Sequence, residues 1–174
     1  CLRYAGVENI RILNGSFGAW QKAGLEVESG DNHYPPVPFT SRGNTSLFCN
    51  TEQVERISQE KGCLINALAK DVYEGTSTSS YGRPGHIPAS HSQPFYELLE
   101  NDFFLDPEFL QQKLTERNML GEENVTIYCG GGIAATINAF ACHLMGKDNV
   151  SVYDGSLTEW NSSANRPIKL GSDP

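Results

Sequence analysis

The chain is poor in positive charge, in long apolar runs and in closely spaced cysteines, and each shortage excludes a class of protein. Thirteen Lys and Arg stand against 21 Asp and Glu, for a formal net charge of -8 over 174 residues. Phosphate neutralisation needs clustered Lys and Arg, so no nucleic-acid partner is expected. No stretch approaches the ~18 apolar residues of a membrane span, so no membrane partner is expected. The opening CLRYAGVENI lacks the basic-then-apolar form of a signal peptide, and its first residue is Cys rather than Met, which reads as a processed or partial chain. The five cysteines, Cys1, Cys49, Cys63, Cys129 and Cys142, cannot all pair and show no C-x-x-C spacing. No metal site or redox pair is therefore expected, and a reducing, cytoplasmic setting is favoured. The N-x-S/T sequences at Asn14, Asn44, Asn124, Asn149 and Asn161 are read as chance matches.

What remains is an ordinary globular composition, 39% hydrophobic and 20% charged, enough for one full domain and part of a second. Residues 8–13, ENIRIL, read as a strand, followed by a short helix around Trp20. A proline-bearing stretch with little periodicity then reads as a connection between domains. Beyond it, Thr51 is placed to cap a helix with Val54, Ile57 and Ser58 inward, and CLINAL (63–68) reads as a buried strand. TSTSSYGRPGHIPAS (76–90) is a loop, QPFYELLEN (93–101) a short amphipathic helix, and DPEFLQQKLTERN (106–118) a helix capped by Asp106 with Phe109, Leu110 and Leu114 on one side. VTIY (125–128) and VSVY (150–153) are strands around the apolar helix AATINAFACHLMG (134–146), which ends at Gly146. This alternation predicts an α/β fold with a mainly parallel sheet and helices on both faces.

The stretches GVENIRILNGSFGAW (6–20) and GKDNVSVYDGSLTEW (146–160) align without gaps at a spacing of 140, with five identities in fifteen positions. Such a repeat implies the end of one unit and the whole of a second of the same kind. The predicted organisation is residues 1–30 as the remnant of a first domain, 31–50 as linker, and 51–174 as a complete domain.

In YCGGGIAA (128–135) a thiol lies between a strand and a helix, with three glycines behind it. The loop matches G-x-G-x-x-A from Gly130 to Ala135, with Asp154 closing the next strand, as in a dinucleotide fingerprint. Only twenty residues follow Asp154, however, too few for the βα units such a fold builds after its motif. A cysteine phosphatase needs an Arg six residues after the thiol, where this chain has Ala135. A Cys-His acyl-transfer site using His86, His91 or His143 stays open. The loop's own chemistry favours an anion on sulfur. The helix N-terminus and amides freed by glycine stabilise a thiolate and any negative group attached to it. The other four cysteines read as small buried hydrophobes.

RPGHIPAS (83–90), IYCGGGIAAT (127–136) and VYDGSLTEW (152–160), in that order, resemble the catalytic C-terminal half of tandem-domain rhodaneses, the thiosulfate and 3-mercaptopyruvate sulfurtransferases. The likeness runs from about residue 51 to 171, and residues 9–30 are similar to the end of the preceding, noncatalytic domain. The resemblance implies a rhodanese-like domain with a five-stranded, largely parallel sheet flanked by helices on both faces. It also implies sulfur transfer through a persulfide on Cys129, from a small anionic donor (thiosulfate or 3-mercaptopyruvate) to cyanide or a thiol, without cofactor or metal. The amides of Gly130, Gly131, Gly132, Ile133 and Ala134 would hold the persulfide.

Three positions depart from the family. Gly131 and Ala134 stand where CGSGVTA loops of mercaptopyruvate enzymes carry hydroxyls, and neither Gly130 nor Gly131 supplies the basic side chains of thiosulfate enzymes. Asn66-Ala67-Leu68 replaces the usual Asp-Ala-Arg, so Arg83 is the nearest candidate to meet the donor's charge. His86 is expected to be structural, and Asp154 and Trp160 to fix the last turn. The second reading is a rhodanese-fold binding or persulfide-sensing module. Oligomeric state is not legible.

Overall fold

The computed structural model describes residues 1–174. Seven strands and six α-helices follow in chain order: α1 (Ser16–Lys22), β1 (Phe48–Cys49), α2 (Thr51–Glu60), β2 (Leu64–Asn66), α3 (Lys70–Glu74), β3 (Ser90–Ser92), β4 (Leu99–Glu100), β5 (Phe103–Phe104), α4 (Pro107–Glu116), β6 (Val125–Tyr128), α5 (Ala135–Leu144), β7 (Val150–Tyr153) and α6 (Ser156–Trp160). Five strands form one all-parallel sheet in the order β1-β7-β6-β2-β3. Every residue of the central strand β6 is buried. Since alternate side chains point to opposite faces, both faces of the sheet are covered.

Local chemistry sets the helix ends. At α2 the Asn50 side chain accepts the Gln53 amide at 3.0 Å and the Gln53 side chain accepts the Asn50 amide at 2.8 Å, a reciprocal capping box. The cap is therefore Asn50, one residue before the expected Thr51. The Thr51 hydroxyl instead pairs with the Tyr153 phenol at 2.8 Å in the interior. Val54 is fully buried, and Ser58 donates to the Pro88 carbonyl at 2.6 Å, as their inward placement predicts. α5 ends as expected: Gly146 takes φ +78, and the Lys147 amide reaches back to the Cys142 carbonyl at 3.0 Å.

Several expectations fail for lack or presence of a partner. Residues 8–13 form no strand, and Ile12 and Leu13 are exposed, because no neighbouring strand offers them a ladder. Phe48–Cys49, inside the expected linker, joins the sheet because β7 supplies pairing for both residues. β3 extends past the expected loop through His91 and Ser92, paired to β2. The helix expected at 93–101 is a 3-10 turn over Phe95–Leu98 running into the β4–β5 hairpin. Asp106 makes no side-chain cap on α4, and Phe109 is exposed while Leu110 and Leu114 are buried.

The N-terminal segment is held differently from the rest. The Arg42 amide donates to the Ala5 carbonyl and the Asn44 amide to the Tyr4 carbonyl, while Arg3 pairs with Asp148 at 3.1 Å. Its apolar side chains remain in solvent, among them Leu2, Phe17, Val27, Tyr34, Val37 and Phe39. No helix is long and apolar enough to cross a membrane.

Candidate functional site

The parallel sheet brings the C-terminal ends of β2, β6 and β7 together, and the three motifs converge there. Tyr128, the last residue of β6, sends its phenol into the RPGHIPAS segment. It accepts the Ile87 amide at 3.0 Å and shares a hydrogen bond with the Ser90 hydroxyl at 2.7 Å. Cys129 follows directly, with its loop running to Ala134 before α5.

That loop is gripped from one side by α6 and the turn before it. The Cys129 carbonyl accepts the Leu157 amide at 3.1 Å, and the Gly130 carbonyl accepts the Thr158 amide at 2.9 Å and the Thr158 hydroxyl at 2.8 Å. The Ser156 hydroxyl accepts the amides of Cys129 (3.0 Å) and Gly132 (3.1 Å) while donating to the Tyr153 carbonyl (2.7 Å). With those groups tied, the amides of Gly130, Gly131, Ile133 and Ala134 have no acceptor within the chain. α5 has no side-chain cap to consume its first donors. Unpaired backbone donors at a helix start form a site that attracts an anion.

Cys129 is 2% exposed and packs into the main core cluster, and its sulfur lies 3.9 Å from the Ser156 hydroxyl, whose one proton goes to the nearer Tyr153 carbonyl at 2.7 Å. The loop amides are not drawn onto Sγ itself. Burial pushes the Cys49 and Cys63 thiols up to about 11 and the Cys142 thiol to about 12, so they stay protonated near neutral pH. Cys1 is exposed.

The remaining predicted residues divide. Gly130 and Gly132 are buried in the loop, Gly131 is exposed, and the Ile133 side chain is 83% exposed, so it offers the loop its amide alone. Arg83 lies elsewhere than expected. Its Nε donates to Asn161 Oδ1 at 3.1 Å and its Nη2 to the Ser163 carbonyl at 3.1 Å, with Nη1 at 3.5 Å from the Ala164 carbonyl. The guanidinium thus clamps the turn after α6 instead of standing free for a ligand. Leu68 is buried in the core, consistent with an apolar side chain at that position.

His86 is structural. Its ring stacks on Tyr73 at 3.8 Å and lies 2.8 Å from the Tyr73 carbonyl and 3.0 Å from that of Asp173. Burial holds its pKa below 6.5, and the neutral ring donates to one carbonyl at a time. His143 pairs with the exposed Asp148, away from the loop. No group of three or more His, Cys, Asp or Glu side chains is placed to hold a metal ion. Sequence reasoning missed Ser156 and Thr158. The Gly-Ser pair shared by the two repeat copies was the signal for the first.

The family model for the rhodanese-like domain matches residues 52–163, and the chain belongs to that family. It is similar to 3-mercaptopyruvate sulfurtransferase of Mus musculus, 30% identical over 162 residues that cover 91% of this chain and 54% of that protein. It is likewise similar to thiosulfate sulfurtransferase of Mus musculus, 33% identical over 163 residues, 91% of this chain and 55% of that one. The chain spans about half the length of the curated relatives it matches. Among solved structures it superposes on a variant of EanB in complex with ergothioneine, with TM-score 0.86, 23% identity, and coverage of 98% of this chain and 43% of that one. The anaerobic ergothioneine biosynthesis enzyme from Chlorobium limicola, in complex with trimethyl histidine, gives 0.85 at 22% identity, covering 97% and 43%. At these identities the structural likeness carries the fold alone.

Proposed function

We propose that this chain carries the sulfur-transfer half of a sulfurtransferase, with Cys129 as nucleophile and carrier. The observation that supports it best is the set of four loop amides without an acceptor, next to a thiol whose own carbonyl and amide are tied behind it. In this reading the Cys129 thiolate attacks the outer sulfur of a small anionic donor. The S–S bond of thiosulfate breaks and sulfite leaves with the electron pair. With 3-mercaptopyruvate the C–S bond breaks, and pyruvate leaves as its enolate and takes a proton from water. The persulfide's outer sulfur carries the negative charge, and the amides of Gly130, Gly131, Ile133 and Ala134 donate to it, as preorganised donors do to a developing anion. Gly132 contributes its left-handed turn at φ +84. Cyanide or a thiol then attacks the outer sulfur, and the thiolate is regenerated. The relatives similar over most of this chain are named for the two donors.

The domain organisation belongs to the same proposal, with residues 1–30 as the end of a preceding domain, 31–50 as linker and 51–174 as the catalytic unit. Its support is conformational. Ser16 and Ser156, equivalent in the repeat, take the same left-handed backbone at φ +62 and +50. The N-terminal segment also leaves its apolar side chains uncovered.

A second reading, a persulfide-sensing or binding module, is favoured by the buried Leu68 and the engaged Arg83, so that neither position expected to meet a donor's charge offers a free arginine. Intact mass after incubation with thiosulfate or 3-mercaptopyruvate separates the two. A gain of one sulfur atom that cyanide removes, and that Cys129→Ser abolishes, supports transfer. No gain with either donor overturns it in favour of the second reading.

A further inference from the structure

We infer that Tyr81 is the specificity-determining side chain of the cysteine loop: its ring takes the volume of a side chain at 130 and leaves Gly131 as the open side of the cradle. This deepens the sulfur-transfer reading and rests on it for the donor, though not for the steric effect. The three glycines serve three different ends. A β-carbon at 130 would stand 2.2 Å from Cε1 and Cζ of Tyr81 and 2.5 Å from Cε2, so the tip of the ring lies against the glycine. One at 132 would meet the Asp154 carbonyl oxygen at 2.6 Å, in a backbone already at φ +84. One at 131 would have no atom within 4 Å.

The backbone that carries the Tyr81 ring is held in place. The Tyr81 carbonyl accepts the Asn161 side-chain amide at 2.8 Å, and its N–H donates to the Ser79 hydroxyl at 3.1 Å. Two residues on, Arg83 clamps to the same Asn161 and to the Ser163 carbonyl. The ring itself packs on the core cluster, and its hydroxyl makes no hydrogen bond within the chain. A basic side chain directly after the cysteine therefore requires the Tyr81 ring to move out of the place it holds. A donor must instead be compact beside its outer sulfur and extend its anionic part outward over Gly131.

The test uses the full chain in a Cys1→Ser background, with Cys129 modification mapped by peptide mass. Iodoacetamide serves as the small probe and an aryl maleimide as the bulky one. Tyr81→Gly is expected to speed the maleimide several-fold relative to iodoacetamide, whereas Tyr81→Leu, which keeps bulk, is expected to retain the wild-type ratio. Gly130→Ala is expected to slow sulfur transfer by about a hundredfold through displacement of the loop, with most of the loss restored in Gly130→Ala/Tyr81→Gly. Gly131→Ala should move the thermal midpoint far less than Gly130→Ala. An unchanged probe ratio in Tyr81→Gly, or additive effects in the double variant, overturns the inference. If the wild type takes up no sulfur, the transfer reading fails, and the probe ratio still decides the role of Tyr81.

Discussion

The Gly-Ser turn that precedes a tryptophan occurs twice, at residues 15–20 and 155–160, and the two copies share a left-handed serine while differing in the glycine before it, φ +88 at Gly15 against φ -62 at Gly155, and in surroundings. Each serine is left-handed and starts a short helix. Each indole N–H donates to a nearby backbone carbonyl, Trp20 to Glu26 at 2.8 Å and Trp160 to Pro167 at 2.9 Å. In the first copy Ser16 is exposed, with a long 3.4 Å contact from the Gly18 amide, and Trp20 is 37% exposed. In the second, Ser156 is buried beneath the cysteine loop and Trp160 is 1% exposed. The same short code repeats the left-handed serine and the indole donor, not the whole turn. What it then does depends on whether a sheet end and a glycine loop are packed against it.

Substitution in pairs breaks the comparison most strongly at the tryptophans. Trp160→Ala, which also removes the ring beneath the Arg166 guanidinium at 5.9 Å, should lower stability by about 3–5 kcal/mol in urea denaturation. Trp20→Ala should shift the same curve by less than about 1 kcal/mol. The serines come next. Ser156→Ala leaves the buried Cys129 and Gly132 amides without their acceptor, for a loss of about 1–3 kcal/mol. It should also slow persulfide formation, measured by intact mass over time, because the loop loses its rear anchor. Ser16→Ala should stay within about 0.5 kcal/mol of wild type.

Acidification acts on the second region through His86. Its folded-state pKa lies below the unfolded value, so the unfolded chain binds the proton more readily. That contribution to stability is fully present above the unfolded pKa of about 6.5 and is lost as the pH falls below it. The urea midpoint should therefore drop between about pH 7 and pH 5, and His86→Phe should flatten that slope. The smallest effect is expected at Arg3–Asp148, the exposed pair joining the two regions. Arg3→Ala should leave the midpoint unchanged within measurement, and raising the salt to about 0.5 M should shrink any remaining difference between wild type and variant.

How far the fold was legible varies with the range of the interactions that build each element. β6, α5 and β7 announced themselves through apolar runs and Gly146, since their burial and capping are written in consecutive residues. The strand expected at 8–13 carries similar local preference and fails, because a strand needs a partner and none is paired to it. β1 and β3 escaped notice for the opposite reason. Two or three residues make no pattern, and β7 and β2 supply their ladders from far along the chain.

Amino-acid order alone determined that a thiol would stand between a buried strand and a helix start, with glycines behind it and a repeated Gly-Ser-Trp ending downstream. Those features depend on backbone sterics and on neighbours a few positions apart. Only the tertiary structure decided that Ser156 and Thr158 hold the loop from behind, that Tyr81 covers Gly130, and that Arg83 is tied to the turn at 161–164. Those contacts join groups 24 to 81 positions apart. No local propensity encodes them, because they exist only once the parallel sheet has set its strand ends side by side.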